Sequence, residues 1–162
     1  MVKFSQWRMK ANLAALVMVV AALSSALPAS AQDVTRIEAS EAHAKAVKGE
    51  VVLVDIRTPE EWKETGVPAS AHAITMHQDP QVFLSALLKA AGGDANKPIA
   101  VICRTGNRST ALSVPLTKAG FPHVINVVEG VAGGPGGPGW KNRDLPLRIW
   151  TDKDTGPQLA TQ

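Results

Sequence analysis

The segment AVICRTGNRST, residues 100–110, says most about the fold of this chain. An apolar run, Ile99 to Ile102, leads directly into Cys103, the single cysteine of the chain, and indicates a buried strand. A short loop containing glycine follows, and then a segment with a helical pattern. A loop and helix N-terminus of this kind direct backbone N–H groups at the sulfur, and Arg104 and Arg108 add positive charge. These surroundings stabilise a thiolate, whereas a cysteine used only for packing would have apolar neighbours on both sides.

Strand and helix patterns alternate along the rest of the chain. Apolar runs predict strands at residues 34–37, 51–54, 73–75, 99–102 and 124–128, and helical spacing predicts helices at 41–48, 59–63, 81–91 and 109–119. This alternation predicts an α/β fold with a central, mainly parallel sheet and helices on both faces. Sites in such sheets lie beyond the carboxyl ends of the strands, and both Asp55 and Cys103 stand at such ends.

Four blocks of sequence resemble the rhodanese sulfurtransferase family. Cys103 to Ser109 is similar to the C-R-x-G-x-R-S active-site loop of the family, and residues 52–62 are similar to its hydrophobic–D–x–R–x–x–x–E–aromatic segment. Residues 66–71, which read GVPASA, resemble the family's G-H-I-P-G-A with the histidine and the second glycine replaced. Residues 139–147 resemble its closing W…G-L-P-V. The resemblance covers roughly residues 34–149 and implies a single rhodanese-like domain.

The resemblance implies an enzyme, a thiosulfate sulfurtransferase. Such an enzyme moves sulfane sulfur from thiosulfate or a persulfide donor to cyanide or a thiol, through a persulfide on Cys103, and needs no cofactor. The loop is then expected to bind the anionic substrate through Arg104, Thr105, Gly106, Asn107, Arg108 and Ser109. Asp55, Arg57 and Glu60 are expected to support the loop. No Cys or His cluster has metal-ligand spacing, so no metal is expected.

The sequence allows two alternative roles for each of three parts of the chain. Arg108 either faces the donor or pairs inward with Asp55 or Glu60. Ser109 either donates a hydrogen bond to the sulfur or caps the following helix. The glycine- and proline-rich residues 130–140 form either a rim loop over the active site or a plain surface connection.

The size of the loop separates it from that of cysteine phosphatases. Those enzymes and arsenate reductases use C-x5-R, a ring large enough for a tetrahedral phosphate. Here four residues lie between Cys103 and Arg108, and Gly106 is expected to permit the tight turn. The smaller ring favours a single persulfide sulfur over a phosphoryl group. A non-catalytic or sulfur-carrier rhodanese-like binding module is the alternative function.

The N-terminus predicts export. Residues 1–31 carry three basic residues, an apolar run at 11–23 and a terminal A-x-A cleavage signal, which together predict a cleaved signal peptide. We expect cleavage near Ala31-Gln32, a periplasmic location, a rhodanese domain over residues 32–150 and a flexible tail over 151–162. The apolar run is short for a membrane span, and an uncleaved anchor is the alternative.

Charge excludes two classes of partner. The chain carries 17 basic and 14 acidic residues, but three of the basic ones lie within residues 1–31, so the remainder is balanced. No global field is therefore available to recruit nucleic acid or an anionic membrane. The resemblance instead implies a small anionic sulfur donor and a cyanide or thiol acceptor, with a protein sulfur acceptor as a further option.

Overall fold

The structure is a computed structural model that describes residues 34–154. Its elements in chain order are β1 (Thr35–Ile37), α1 (Ala39–Val47), β2 (Val52–Asp55), α2 (Pro59–Thr65), β3 (Val67–Pro68), β4 (Ala71–Ala73), α3 (Pro80–Ala90), β5 (Ile99–Ile102), α4 (Asn107–Lys118), β6 (Val124–Val127), α5 (Gly139–Asn142) and β7 (Leu147–Arg148). The predicted signal peptide, residues 1–31, lies outside the described residues, as do residues 155–162 of the predicted tail.

The central sheet has five strands in the order β1-β6-β5-β2-β4, and all of its pairs are parallel. The pairing of β2 with β5 aligns Asp55 with Ile102, so these two strands end side by side. Cys103 therefore follows directly beyond the strand end at which Asp55 lies. The predicted mainly parallel sheet is confirmed, and β3 pairs with β7 in a separate antiparallel ribbon.

Helices cover both faces of the sheet, as the alternation of patterns predicts. One core cluster contains Ala42 of α1, Trp62 of α2 and Trp140 of α5. The other contains Leu87 of α3 and Leu116 of α4. Strands β2 and β5 contribute to both clusters, because successive side chains of a strand point to opposite faces, and this is why both strands are continuous apolar runs. Within residues 34–154, no helix is both long and apolar enough to cross a membrane.

Several element boundaries differ from the predicted ones. The strand predicted at 73–75 lies at Ala71–Ala73, on the sheet edge, where a single neighbour, β2, sets its register. Helix α1 begins at Ala39 after Glu38, not after Ser40. The short elements β3, β7 and α5 are absent from the prediction, because so few residues do not show a hydrophobic period.

Asp55 and Arg57 form an ion pair at the carboxyl end of β2. The two residues are 0% and 1% exposed, and Arg57 Nη2 lies 2.7 Å from Asp55 Oδ2. Arg57 also donates hydrogen bonds from Nη1 to Thr65 Oγ1 at 2.7 Å and from Nη2 to the Gly66 carbonyl at 2.7 Å. A buried charge needs both a partner and satisfied hydrogen bonds, and Arg57 has both. The pair thus ties the end of β2 to the end of α2.

Glu129 forms a second buried junction, just after β6. It is 2% exposed, and its carboxylate accepts hydrogen bonds from the Ala39 N–H at 3.2 Å and from Arg143 Nε at 2.8 Å and Nη2 at 2.6 Å. Arg143 Nη2 also donates to Glu38 at 2.8 Å. The hydrogen bonds from Arg143 hold the pKa of Glu129 below its usual range, although burial acts in the opposite direction. One carboxylate thus joins the start of α1 to the residue that follows α5.

The chain after β7 packs back against α2. The rings of Trp62 and Trp150 lie 5.3 Å apart, and Lys63 Nζ lies 3.2 Å from Asp152 Oδ1. Arg148, which is buried, forms an ion pair with Asp154. The first four residues of the segment predicted as a tail are thus described, and two of them make ion pairs.

Replacement of Arg57 with methionine tests the buried ion pair. We expect Arg57→Met to lower the free energy of unfolding by about 3–5 kcal/mol, because the Asp55 carboxylate stays in the core without a counter-charge. Urea denaturation followed by tryptophan fluorescence measures the loss. Lys63→Met is the matched control, because the Lys63–Asp152 pair is exposed and such pairs contribute at most about 1 kcal/mol. Equal losses in the two variants would contradict the anchoring role of Arg57.

Glu129 is expected to make stability depend on pH in the acid range. Because its pKa is lowered in the folded state, its contribution is complete above the unfolded value of about 4.3 and is lost as the pH falls through the folded value. We expect the free energy of unfolding to decrease as the pH falls from about 5 to about 3, and to decrease less in Glu129→Gln. Urea titrations of both proteins across this range measure the difference, and parallel pH curves would exclude a contribution from Glu129.

Candidate active site

The loop that follows β5 is held in place through its backbone. Cys103 stands directly after β5, and its carbonyl accepts a hydrogen bond from the Val131 N–H at 2.8 Å. The Arg104 carbonyl accepts one from the Ala132 N–H, also at 2.8 Å. These two bonds fasten the first half of the loop to the segment after β6. The position of the cysteine therefore depends on the ends of two neighbouring strands.

The sulfur of Cys103 faces the first turn of α4. The residue has no exposed surface, and its Sγ accepts a hydrogen bond from the Ser109 N–H at 3.4 Å. Ser109 Oγ lies 3.5 Å from Sγ and donates to the Gly106 carbonyl at 3.0 Å. Helix α4 has Gly106 as its N-cap and no side-chain cap bond, so Ser109 contacts the sulfur and does not cap the helix. An N–H group at a helix N-terminus stabilises negative charge on sulfur.

Gly106 shapes the loop, because its position excludes any side chain. Its φ is +88°, and a Cβ there would lie 1.9 Å from the Val128 carbonyl oxygen. Only glycine adopts this conformation without strain and allows so close an approach of two backbone segments. The resulting turn returns the chain to the sulfur and brings Ser109 into contact with it.

Arg108 pairs with Glu61, and not with Asp55 or Glu60, the partners in one of its two alternative roles. Arg108 Nη2 lies 2.6 Å from Glu61 Oε1, and Nη1 donates to Glu61 Oε2 at 2.8 Å. The Asp55 carboxylate is instead engaged by Arg57 at 2.7 Å, and Glu60 is exposed on α2. Neighbouring residues on a helix point about 100° apart, so a helix that turns Glu60 to solvent turns Glu61 toward the loop.

Glu61 is therefore a carboxylate that supports the loop, and it is not among the residues predicted for that role. It closes a capping box with Thr58, whose Oγ1 accepts the Glu61 N–H at 3.4 Å and whose N–H donates to Glu61 Oε2 at 3.0 Å. Burial raises the pKa of Glu61, but hydrogen bonds from Arg108 and Thr58 outweigh it and hold the pKa below its usual range. The hydrogen bond to Glu61 in turn raises the pKa of Arg108. Two sequence signals distinguish Glu61 from Glu60. One is the T-x-x-E pattern of the capping box, and the other is the D-x-R-x-x-x-E-aromatic segment, which counted from Asp55 places its glutamate at position 61.

A cavity of about 130 Å³ lies beside the loop. Its lining residues are Arg57, Glu61, Glu64, Thr65, Arg104, Val131, Ala132 and Lys141. Arg104 is exposed and takes part in none of the ion pairs found within residues 34–154. Of the remaining loop residues, Thr105 is half-buried and Asn107 is exposed. Over the same part of the chain, no group of three or more His, Cys, Asp and Glu side chains is arranged to hold a metal ion.

The glycine- and proline-rich segment packs directly on the loop. A Cβ at Gly130 would lie 2.5 Å from the Arg104 carbonyl oxygen, and one at Gly134 would lie 2.7 Å from that of Thr105. Side chains at these two positions would push the segment away from the loop, so the glycines permit the contact. Residues 130–140 therefore border the candidate site and are not a plain surface connection.

Comparison with known proteins identifies the family of this chain. The family model described as the rhodanese-like domain matches residues 38–134, which is more than half of the chain. The thiosulfate sulfurtransferase GlpE of Pseudomonas syringae pv. syringae is 32% identical over 95 residues, covering 59% of this chain and 81% of that protein. An uncharacterised protein of Rickettsia rickettsii is 31% identical over 101 residues, covering 60% of this chain and 82% of that protein.

Solved structures share the fold. The polysulfide-sulfur transferase homodimer of Wolinella succinogenes superposes with a TM-score of 0.55 at 22% identity, covering 74% of this chain and 82% of that chain. The sequence match over residues 38–134 and the parallel sheet that carries Cys103 at its carboxyl end agree. This chain therefore belongs to the rhodanese-like domain family, a family of sulfurtransferases.

Proposed function

We propose that this protein carries sulfane sulfur on Cys103, from thiosulfate to cyanide or a thiol. The Cys103 thiolate attacks the outer sulfur of thiosulfate, a new S–S bond forms, and sulfite leaves with the electron pair of the broken S–S bond. The acceptor then attacks the terminal sulfur of the persulfide and regenerates the thiolate. Both half-reactions are nucleophilic displacements at sulfur, so no external oxidant or reductant is required.

The arrangement around the sulfur is the observation that carries this proposal. The chain has one cysteine, and its Sγ accepts the Ser109 N–H at 3.4 Å at the start of α4. Such a donor is in place before the reaction and stabilises the anionic sulfur without rearrangement. The four-residue spacing between Cys103 and Arg108 suits one additional sulfur atom better than a tetrahedral phosphoryl group.

The charges beside the loop support a small anionic donor. Three basic and two acidic side chains line the cavity of about 130 Å³, namely Arg57, Arg104, Lys141, Glu61 and Glu64. Arg104 is exposed there. Sites for drug-sized ligands are several hundred Å³ in volume, so the excess of one cation and the small volume together favour a small anion such as thiosulfate. Cys103 has no exposed surface in this conformation, so a donor reaches the sulfur only when side chains at the rim move.

Intact mass spectrometry tests the covalent intermediate. We expect the protein to gain one sulfur, about 32 Da, on incubation with thiosulfate and to lose it on addition of cyanide, because the sulfur is held as a persulfide. Cys103→Ser is the matched control and is expected to gain nothing. If neither thiosulfate nor a thiol persulfide yields an adduct on the unaltered protein, the domain is a non-catalytic binding module. An adduct that forms without cyanide turnover indicates a sulfur carrier.

We also propose that the protein is exported and cleaved between Ala31 and Gln32. The basic residues, apolar run and A-x-A signal of residues 1–31 support this. Expression of the full chain in a Gram-negative host is expected to yield a periplasmic protein with Gln32 at its N-terminus. Replacement of Ala29 and Ala31 with glutamine is expected to leave the precursor uncleaved. Recovery of the unaltered chain uncleaved in the cytoplasm would contradict export.

A further inference from the structure

The Gly106 carbonyl receives more hydrogen bonds than a carbonyl oxygen ordinarily accepts. Its oxygen accepts from Ser109 Oγ at 3.0 Å, from the Thr110 N–H at 3.0 Å and from Thr110 Oγ1 at 2.7 Å. A carbonyl oxygen has two lone pairs, so the three donors exceed the number of lone pairs that can accept a hydrogen bond. The Ser109 hydroxyl is the donor with a second acceptor within reach, because the sulfur of Cys103 lies 3.5 Å away.

Asn126 holds the Thr110 hydroxyl from the sheet side. It lies on β6, is 2% exposed, and donates from Nδ2 to Thr110 Oγ1 at 2.7 Å. Its Oδ1 is buried and has no hydrogen-bond partner among the described residues. A half-satisfied amide in an interior strand is unfavourable for stability. The one side-chain hydrogen bond found for Asn126 among the described residues is the contact with Thr110, beside the reactive loop.

We propose that Thr110 and Asn126 are positioning residues that release the Ser109 hydroxyl to donate to the sulfur of Cys103. This inference rests on the proposed persulfide chemistry. It assigns a supporting role to two residues that do not touch the sulfur. Two successive hydrogen bonds connect them to the loop, one from Asn126 Nδ2 to Thr110 Oγ1 and one from Thr110 Oγ1 to the Gly106 carbonyl.

The Ser109 hydroxyl has a single hydrogen atom, so it donates to one acceptor at a time. While Cys103 is a thiol, its S–H donates to Ser109 Oγ, and the single Ser109 hydroxyl hydrogen goes to the Gly106 carbonyl. A thiolate or persulfide sulfur has no hydrogen to donate and needs a donor instead. The Ser109 hydroxyl then rotates to the sulfur, and the Gly106 carbonyl keeps both donors of Thr110. No proton changes its owner in this rotation.

Removal of the Thr110 hydroxyl is expected to make the rotation unfavourable. In Thr110→Val, the Gly106 carbonyl retains one backbone donor, so the Ser109 hydroxyl is drawn back to it. We expect kcat for transfer from thiosulfate to cyanide to fall about three- to tenfold, the effect of one neutral hydrogen bond, with KM for thiosulfate unchanged. Thr110→Ser restores the hydroxyl and is expected to restore kcat. Thr117→Val is the matched control, because Thr117 donates to the Ser113 carbonyl in the same helix, away from the loop.

Asn126→Leu separates positioning from stability. The variant removes the unpartnered Oδ1 together with the Nδ2 donor, so the free energy of unfolding is expected to stay the same or to rise. We expect kcat to fall nevertheless, because the Thr110 hydroxyl loses its support. A loss of stability and of kcat together would assign Asn126 an ordinary structural role and overturn its part of the proposal.

A double-mutant cycle decides whether Thr110 acts through Ser109. Thr110→Val is expected to have no further effect on kcat in a Ser109→Ala background, because the hydroxyl that it positions is then absent. Additive effects, or an unchanged kcat in Thr110→Val alone, would overturn the proposal. A second readout needs no turnover: the rate of Cys103 alkylation by iodoacetamide at one fixed pH is expected to fall in Thr110→Val and to recover in Thr110→Ser, because the reacting sulfur loses and regains a hydrogen-bond donor. If the unaltered protein forms no persulfide, the proposed function fails, and this rate still tests the hydroxyl arrangement.

Discussion

The buried ion pair between Asp55 and Arg57 is the interaction on which the site-bearing end of the sheet depends. It satisfies two charges that have no access to water, and the same guanidinium donates to Thr65 and to the Gly66 carbonyl. The end of β2 and the end of α2 are therefore held together by one side chain. Helix α2 also carries Glu61, which pairs with Arg108. The position of the Arg108 guanidinium therefore depends on the Asp55–Arg57 ion pair as well.

The reactive loop itself is shaped mainly by backbone contacts. Gly106 allows a turn against the Val128 carbonyl, and Gly130 allows the following segment to pack on Arg104. Hydrogen bonds from Val131 and Ala132 then fix the first two carbonyls of the loop. With the backbone held so closely, the Ser109 N–H is directed at the sulfur before any substrate arrives, which is the preorganisation that stabilises a charged intermediate.

Much of this arrangement is predictable from the sequence. The apolar runs predict β2 and β5. Because sites in parallel sheets lie beyond the carboxyl ends of the strands, Asp55 and Cys103 are predicted to lie at the same end of the sheet. Glu60, predicted as a supporting residue, is exposed, and the adjacent Glu61 faces the loop, because helix rotation decides which of two adjacent carboxylates turns inward. The capping box at Thr58 contains that information. The D-x-R-x-x-x-E-aromatic segment also places its glutamate at 61. The displacement of β4 by two residues arises at a sheet edge, where one neighbour alone sets the register.

Local pattern and residue type are enough to predict the fold class, the strand end that carries Cys103 and the chemical character of the loop. Only the folded chain shows the partner of Arg108, the contact of residues 130–140 with the loop and the hydrogen bonds from Asn126 to the Gly106 carbonyl. These contacts join residues that are distant in the chain, such as Asn126 and Thr110 or Arg108 and Glu61. Their geometry depends on how helices rotate and how closely backbone segments approach each other. The spacing of apolar residues along the chain does not predict either quantity.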